Sequence, residues 1–264
     1  MIPELQPAAD GSFTSIVQFG GRVEEDRNGF ITALVVRAMI DPPECSLDYL
    51  ESCECSAQPD AFCFWPATGR PGWAPLLPPD ADDTAIIAVE LYRHGRRSRD
   101  WLRRVALQVL LPYRTSASEE PDPPWLRPGV FQTWLARGRP NVVDCVVNVN
   151  VAALLAIAGL DHTSAYRSAV DMIDAALRWS EGLSFRAGLI APFYADPAEL
   201  TIALDHAVRQ GAEALRPARE LASTWFPAAS HDSNRRVCRC AYGSTIWSAP
   251  VLQHARVARQ PLAK

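Results

Sequence analysis

The stretch Pro78-Pro79-Asp80-Ala81-Asp82-Asp83-Thr84-Ala85 constrains this chain more than any other. Three carboxylates fall within four positions, two prolines stand directly before them, and the apolar residues Ile86, Ile87, Val89 and Leu91 follow. Proline is excluded from a helix interior but suits the approach to one. Asp is a favoured N-cap, so a helix is expected to begin at Asp80 or Asp82, with the carboxylates crowded at its N-terminus. Two readings of that crowd stay open. In the first, one Asp caps the helix and the others favour the positive end of its dipole. In the second, the cluster is an acid site: carboxylates this close resist ionising together, so one keeps its proton at neutral pH. Such a proton can be delivered to a very weak base, an alkene or an epoxide. The helix dipole opposes this by favouring the anion, and the sequence leaves the balance open.

Helical spacing dominates the rest of the chain. Asn28-Gly29-Phe30 opens an apolar segment with Ile31, Leu34, Val35, Val36 and Met39, which Pro42-Pro43 ends. Further helices are expected over 46–53, 82–94 with Gly95 as the stop, 98–111, 141–159, 164–180, 197–211, 218–224 and 245–259. Pro-rich loops separate them, 189–194 reads as a short extended piece and 225–244 as irregular. Residues 1–26 read as a mostly irregular N-terminal arm, and 27–264 as a single domain. This pattern predicts an all-α chain. Phe62-Cys63-Phe64-Trp65 and Phe131-Gln132-Thr133-Trp134 both place Phe three residues before Trp, each ahead of a loop and an apolar helix. Gly243 with Trp247 is a degenerate third copy. Repeated helix pairs with aromatic turns suggest a closed ring of helical hairpins.

Composition narrows the function. At 264 residues the chain can bury a sizeable core. A net charge of -4 and the lack of a basic stripe argue against a nucleic-acid partner. Residues 1–26 show no signal-peptide pattern, and the longest apolar run, around 142–160, is interrupted by Asp144, Asn148 and Asn150 and so does not read as a membrane span. The expected compartment is the cytoplasm, and the seven cysteines are expected to be reduced. Cys53-x-Cys55 and Cys238-x-Cys240 are too closely spaced for the usual zinc pair, and no metal site is expected.

The pattern Asp-x-Asp-Asp-Thr-Ala resembles the acid motif of class II terpene cyclases, of the squalene–hopene cyclase and bacterial diterpene cyclase type, in the terpenoid cyclase/prenyltransferase superfamily. The resemblance implies a single α/α toroid. It implies an enzyme that cyclises a linear isoprenoid, a prenyl diphosphate among the candidates, with Asp82 as general acid and Asp80 and Asp83 holding its proton in place. No cofactor is implied, except Mg2+ if the substrate carries a diphosphate. Class II cyclases usually carry two or three helical domains with the cavity between them. A chain of this length would take its second wall from a homodimer mate, a second cyclase domain or the open mouth of the ring.

Around the acid, Trp65, Trp134 and Trp247, with Trp73, are expected to face a carbocation, or else to pack the core. Asp144 and Asn148, four apart on an apolar helix, either brace neighbouring helices or line the cavity opposite the acid. Arg93, Arg96, Arg97 and Arg99 are either a phosphate site or a solvated face. The related protein prenyltransferases hold zinc with an Asp-x-Cys pair and a later His. Here Asp144 and Cys145 are adjacent, so their side chains diverge by about 100°, and His94, His162, His206, His231 and His254 are scattered; that chemistry is rejected. From a different functional class, the alternative is a non-catalytic α/α toroid that binds a lipid-like ligand or a partner protein.

Overall fold

The computed structural model describes residues 5–116, 123–138, 141–228, 235–241 and 243–258. His231, read in the sequence above, lies outside them. Strand β1 (Thr14–Phe19) and strand β2 (Arg22–Arg27) form a hairpin at the start of the chain, and β3 (Arg236–Arg239) and β4 (Ile246–Ser248) form a second antiparallel pair near its end. Strand β1 also pairs with β4, Val17 opposite Trp247, which gives one antiparallel sheet in the order β2-β1-β4-β3. The expected all-α toroid is therefore wrong, and so is the irregular arm over 1–26. The two-residue turn at Gly20 and Gly21, with φ of 51° and 78°, is the primed hairpin geometry that glycine permits and that matches strand twist. β2 carries mostly exposed charges, and β1 buries only alternate residues. Neither strand has the long apolar run of a helix in this chain.

The helices are α1 (Gly29–Ala38), α2 (Glu44–Ser52), α3 (Ala81–Arg93), α4 (Arg99–Arg104, continuing into a π-helical turn over Val105–Leu110), α5 (Cys145–Ile157), α6 (Ser164–Ser180), α7 (Ser184–Ile190), α8 (Ala198–Arg209), α9 (Arg216–Trp225) and α10 (Pro250–Ala258). α1 packs on α3, α3 on α5, and α5 on α8; α10 packs on α1. Every residue of α1 is buried, as is α5 from Cys145 to Leu155. A helix apolar on all sides needs neighbours on all sides. α2, α4, α6 and α9 cover this inner row and are amphipathic; α6 buries Ala169, Met172, Ile173, Ala176 and Leu177 on one face. The extended piece expected over 189–194 instead begins as the end of α7.

α1 starts at Asn28, whose side chain accepts from the Ile31 amide at 2.8 Å. Gly29 lets that helix end approach α2: a Cβ there would lie 2.7 Å from Cys53 Sγ. α3 starts at Asp80 and ends at Arg93, with Gly95 beyond it at φ 74°. The acid stretch is thus at the start of a buried helix, with the sheet on one side of it.

Candidate active site: a carboxyl cluster under an aromatic cavity

Asp80 is the N-cap of α3. Its Oδ1 accepts from the amides of Asp82 and Asp83 at 2.9 and 2.8 Å. Its own amide donates to the Phe62 carbonyl, and the amide of Ala81 to the Thr133 carbonyl, so the two aromatic turns hold the helix start from either side. Capping is therefore real, and it employs one carboxylate of the three. The other two point elsewhere. Asp82 Oδ1 accepts from Asn150 Nδ2 at 2.8 Å and Oδ2 from the Tyr194 hydroxyl at 2.6 Å. Arg37 holds the far end of the network: its Nη1 donates to Asn150 Oδ1 at 3.1 Å, and its Nε to Glu90 at 3.0 Å. The two carboxyl oxygens of Asp83 are buried with no N–H donor on them among the described residues, and the Asp83 carboxyl hydrogen-bonds that of Asp80.

These environments separate the three groups electrostatically. Burial raises the Asp82 pKa, and the hydrogen bonds from Tyr194 and Asn150 and the charge of Arg37 pull it back. Burial, joined by the charge of Asp80, pushes Asp83 well above the carboxylate range. Burial takes Asp80 up to about 7 against the pull of the hydrogen bond with the Asp83 carboxyl and of the amides it caps. The site therefore places a carboxyl held neutral next to one whose anion is well solvated by protein donors, an arrangement suited to acid chemistry.

All three carboxyls border a cavity of about 480 Å³ whose other walls are largely aromatic. Trp65, Trp134 and Trp247 line it, as does Trp73. The sheet builds one wall. Phe19 of β1 stacks on Trp73 at 4.3 Å between ring centroids, and Trp247 comes from β4. Buried Asp26 on β2 fixes two of the rings, accepting from Trp65 Nε1 at 3.0 Å and Trp247 Nε1 at 2.7 Å. Phe193 meets Trp134 edge-on at 5.6 Å.

Of the five residues expected to surround the substrate, Asp144 and Asn148 do not reach the cavity. Asp144 caps α5 through the amides of Val146 and Val147 and accepts from the Phe193 amide at 3.0 Å. Asn148 clasps the backbone of Phe131, accepting from its amide at 2.9 Å and donating to its carbonyl at 3.0 Å. Both are braces. The polar residue of this helix that meets the acid is Asn150, two positions on and about 200° round the helix from Asn148. Tyr194, Arg37, Phe193 and Asp26 were not read as site residues from the sequence, and Asn150 was read there only as a polar interruption of an apolar helix. An Asn in an otherwise apolar helix is a visible signal for one of them; Tyr194 carries none.

The arginine cluster serves the surface. Arg96 pairs with Glu44, Asp48 and Glu51, Arg97 with Glu51, Arg93 with Glu90, and Arg99 donates to the Ile157 carbonyl. Among the described residues, no three His, Cys, Asp or Glu side chains are grouped to hold a metal ion. No described helix is long and apolar enough to cross a membrane. Compared with known proteins, the chain matches no family model and no curated protein. Geometry alone carries the functional reading.

Proposed function

We propose that this chain is an acid-initiated cyclase of linear isoprenoids, of the class II terpene cyclase type. One observation carries the reading: a buried carboxyl, Asp82, borders an aromatic cavity of about 480 Å³ with a polar donor on each of its two oxygens. Asp82 transfers its proton to a terminal alkene or epoxide. A C–H or O–H bond forms, positive charge passes to a substrate carbon, and Asp82 is left as the carboxylate. Asn150 and Tyr194 solvate that carboxylate and Arg37 offsets its charge, which makes Asp82 a stronger acid than burial alone would allow. The neutral form of Asp83 keeps a second negative charge away from the donor. The faces of Trp65, Trp134 and Trp247 stabilise the cation, and the apolar lining excludes the water that would quench it. Loss of a proton from the final cation makes the net reaction an isomerisation.

The test is incubation of the purified chain with farnesyl diphosphate, geranylgeranyl diphosphate and squalene, followed by mass spectrometry of the extract. A cyclised product that vanishes with Asp82→Asn is expected. The reading fails if none of these substrates is converted, or if the Asp82→Asn protein converts them as the parent does.

A further inference from the structure

A buried carboxylate stands behind the aromatic wall of the cavity and takes no part in the chemistry proposed above. Asp26, on β2, is 2% exposed and does not itself border the cavity. Three side-chain N–H groups converge on its two oxygens: Trp65 Nε1 on Oδ1 at 3.0 Å, Trp247 Nε1 on Oδ2 at 2.7 Å and Asn28 Nδ2 on Oδ2 at 2.8 Å. A carboxylate accepts hydrogen bonds and cannot donate them, so this donor set suits the ion. Each donor is uncharged, so the set positions the negative charge without cancelling it.

The place of that charge matters to the rings. An indole carries positive potential at its edge, where the N–H lies, and negative potential on its faces. Asp26 occupies the N–H edge of both Trp65 and Trp247, and both residues line the cavity. An anion on the edge pushes electron density toward the faces and adds its own field to theirs. Both effects favour a cation lying against the rings. An uncharged apolar ligand gains nothing from either.

The rings are locked into one surface. Trp73 meets Trp65 edge-on at 6.0 Å between centroids and lies 6.4 Å from Trp247. Phe64 packs edge-on against Trp65 and Trp247, at 4.5 and 5.2 Å. Trp73 is half-buried, so the wall extends to the protein surface. The Asn28 that donates to Asp26 also caps α1, which ties the carboxylate to the buried helix row. Arg239 borders the same cavity, but its guanidinium is drawn toward α7, with Nε and Nη2 donating to the carbonyls of Pro192 and Gly188 at 2.9 and 3.1 Å.

The geometry points to Asp26 as a positioning residue that turns the Trp65–Trp247 wall into a subsite for an apolar cation, with a quaternary ammonium ion as its simplest ligand. The use of this subsite in catalysis, to hold a carbocation, rests on the cyclase reading. Binding of a stable cation needs no turnover, so the two can fail separately.

Isothermal titration of the full chain with hexyltrimethylammonium, and separately with hexyldimethylcarbinol, tests it. The carbinol places the same hexyl chain on an uncharged branched head of equal size. Saturable one-to-one binding of the ammonium ion is expected, tighter than that of the carbinol by about tenfold or more. Asp26→Asn should cut the ammonium affinity about tenfold and leave the carbinol affinity within about twofold. A change that only loosened the wall would lower both alike and leave the preference unmoved. If Asp26→Asn does not fold, Trp247→Phe carries the test, because it keeps a ring and gives up the N–H that Asp26 holds; the preference should then shrink severalfold. No preference for the ammonium ion in the parent, or the same preference in parent and variant, overturns the inference. Cyclisation of isoprenoids without this preference defeats the subsite alone, and the preference without cyclisation defeats the cyclase reading alone.

Discussion

α3 and α5 begin alike. Each is capped by a buried Asp, Asp80 or Asp144, whose Oδ1 accepts from the amides two and three residues on. Four residues after each cap, a polar side chain takes the amide of the Phe of an aromatic turn: Thr84 Oγ1 accepts from Phe62 at 2.9 Å, and Asn148 Oδ1 from Phe131 at 2.9 Å. Burial raises both caps to about 7. The same device is thus built twice, on the two turns whose Phe-x-x-Trp spacing suggested a repeat. The difference lies in the two residues that the cap amides belong to. After Asp80 these are Asp82 and Asp83; after Asp144 they are Val146 and Val147. One helix start aims two extra carboxyls at an aromatic cavity, and the other packs valines. A buried Asp at a helix start is architecture in this protein, and the carboxyls behind it are the candidate chemistry.

The largest effect expected is on activity. Asp82→Asn should lower the turnover of any isoprenoid the parent cyclises by about 10²–10⁴-fold or more, the usual cost of losing a general acid. The fold should hold within about 1 kcal/mol, because Asn still accepts from Asn150 and can donate to Tyr194. Turnover and thermal melting of the same preparation separate the two effects. Full activity in the variant would reduce the α3 cluster to what α5 has, a cap.

The brace on α5 comes next. Asn148→Ala leaves the buried amide and carbonyl of Phe131 without their partner and should cost about 2–3 kcal/mol in urea unfolding. A cost near zero would show that the two aromatic turns are not held by equivalent clasps.

The two caps should part company when each is changed to Asn. Asp144 uses both oxygens, one on the α5 amides and one on the Phe193 amide, and Asn would turn a donor toward that amide. Asp144→Asn should therefore cost about 1–2 kcal/mol. Asp80 caps with one oxygen only, and Asn caps as well as Asp, so Asp80→Asn should stay within about 0.5 kcal/mol. Equal costs for the pair would break this distinction.

The last effect is read as a slope. A carboxyl whose folded-state pKa is raised binds its proton more tightly in the native protein than in the unfolded chain. The stability it contributes is full below the unfolded value, 3.8, and is lost as pH rises through the folded one. Asp83, raised well above that value, and Asp80 and Asp144, both raised to about 7, all act in this direction. Stability from these groups should fall between about pH 4 and about pH 7, and for Asp83 beyond. Asp83→Asn should flatten the decline, and the part due to Asp144 should remain. Unfolding free energies at about pH 5 and about pH 8 measure it; an unchanged slope would place Asp83 outside the coupled cluster.

The helix start at Asp80 and the Asn28 opening of α1 were legible in the sequence, because each rests on bonds between neighbours in the chain. The sheet was missed, although Gly20-Gly21 between two alternating runs is a hairpin signal. β2 is charged and β4 is three residues long, so neither shows the apolar pattern of a strand buried on both faces. The tryptophans were legible as an aromatic surplus. Their common wall was not, since Asp26 gathers Trp65 and Trp247 from opposite ends of the chain.

By itself the sequence determined where α1 and α3 begin to within a turn, leaving Asp80 and Asp82 both open as the cap of α3. Those outcomes depend on amides two to four residues away, and local conformation delivers them before any packing. The tertiary structure alone decided which carboxyl meets which partner. Asn150 and Tyr194 stand 68 and 112 residues from Asp82, and Ile16 pairs with Ser248 across nearly the whole chain. Such contacts form only when burial of α1, α3, α5 and the sheet fixes every element at once. The pKa of each carboxyl follows from that burial, and no spacing in the sequence contains it.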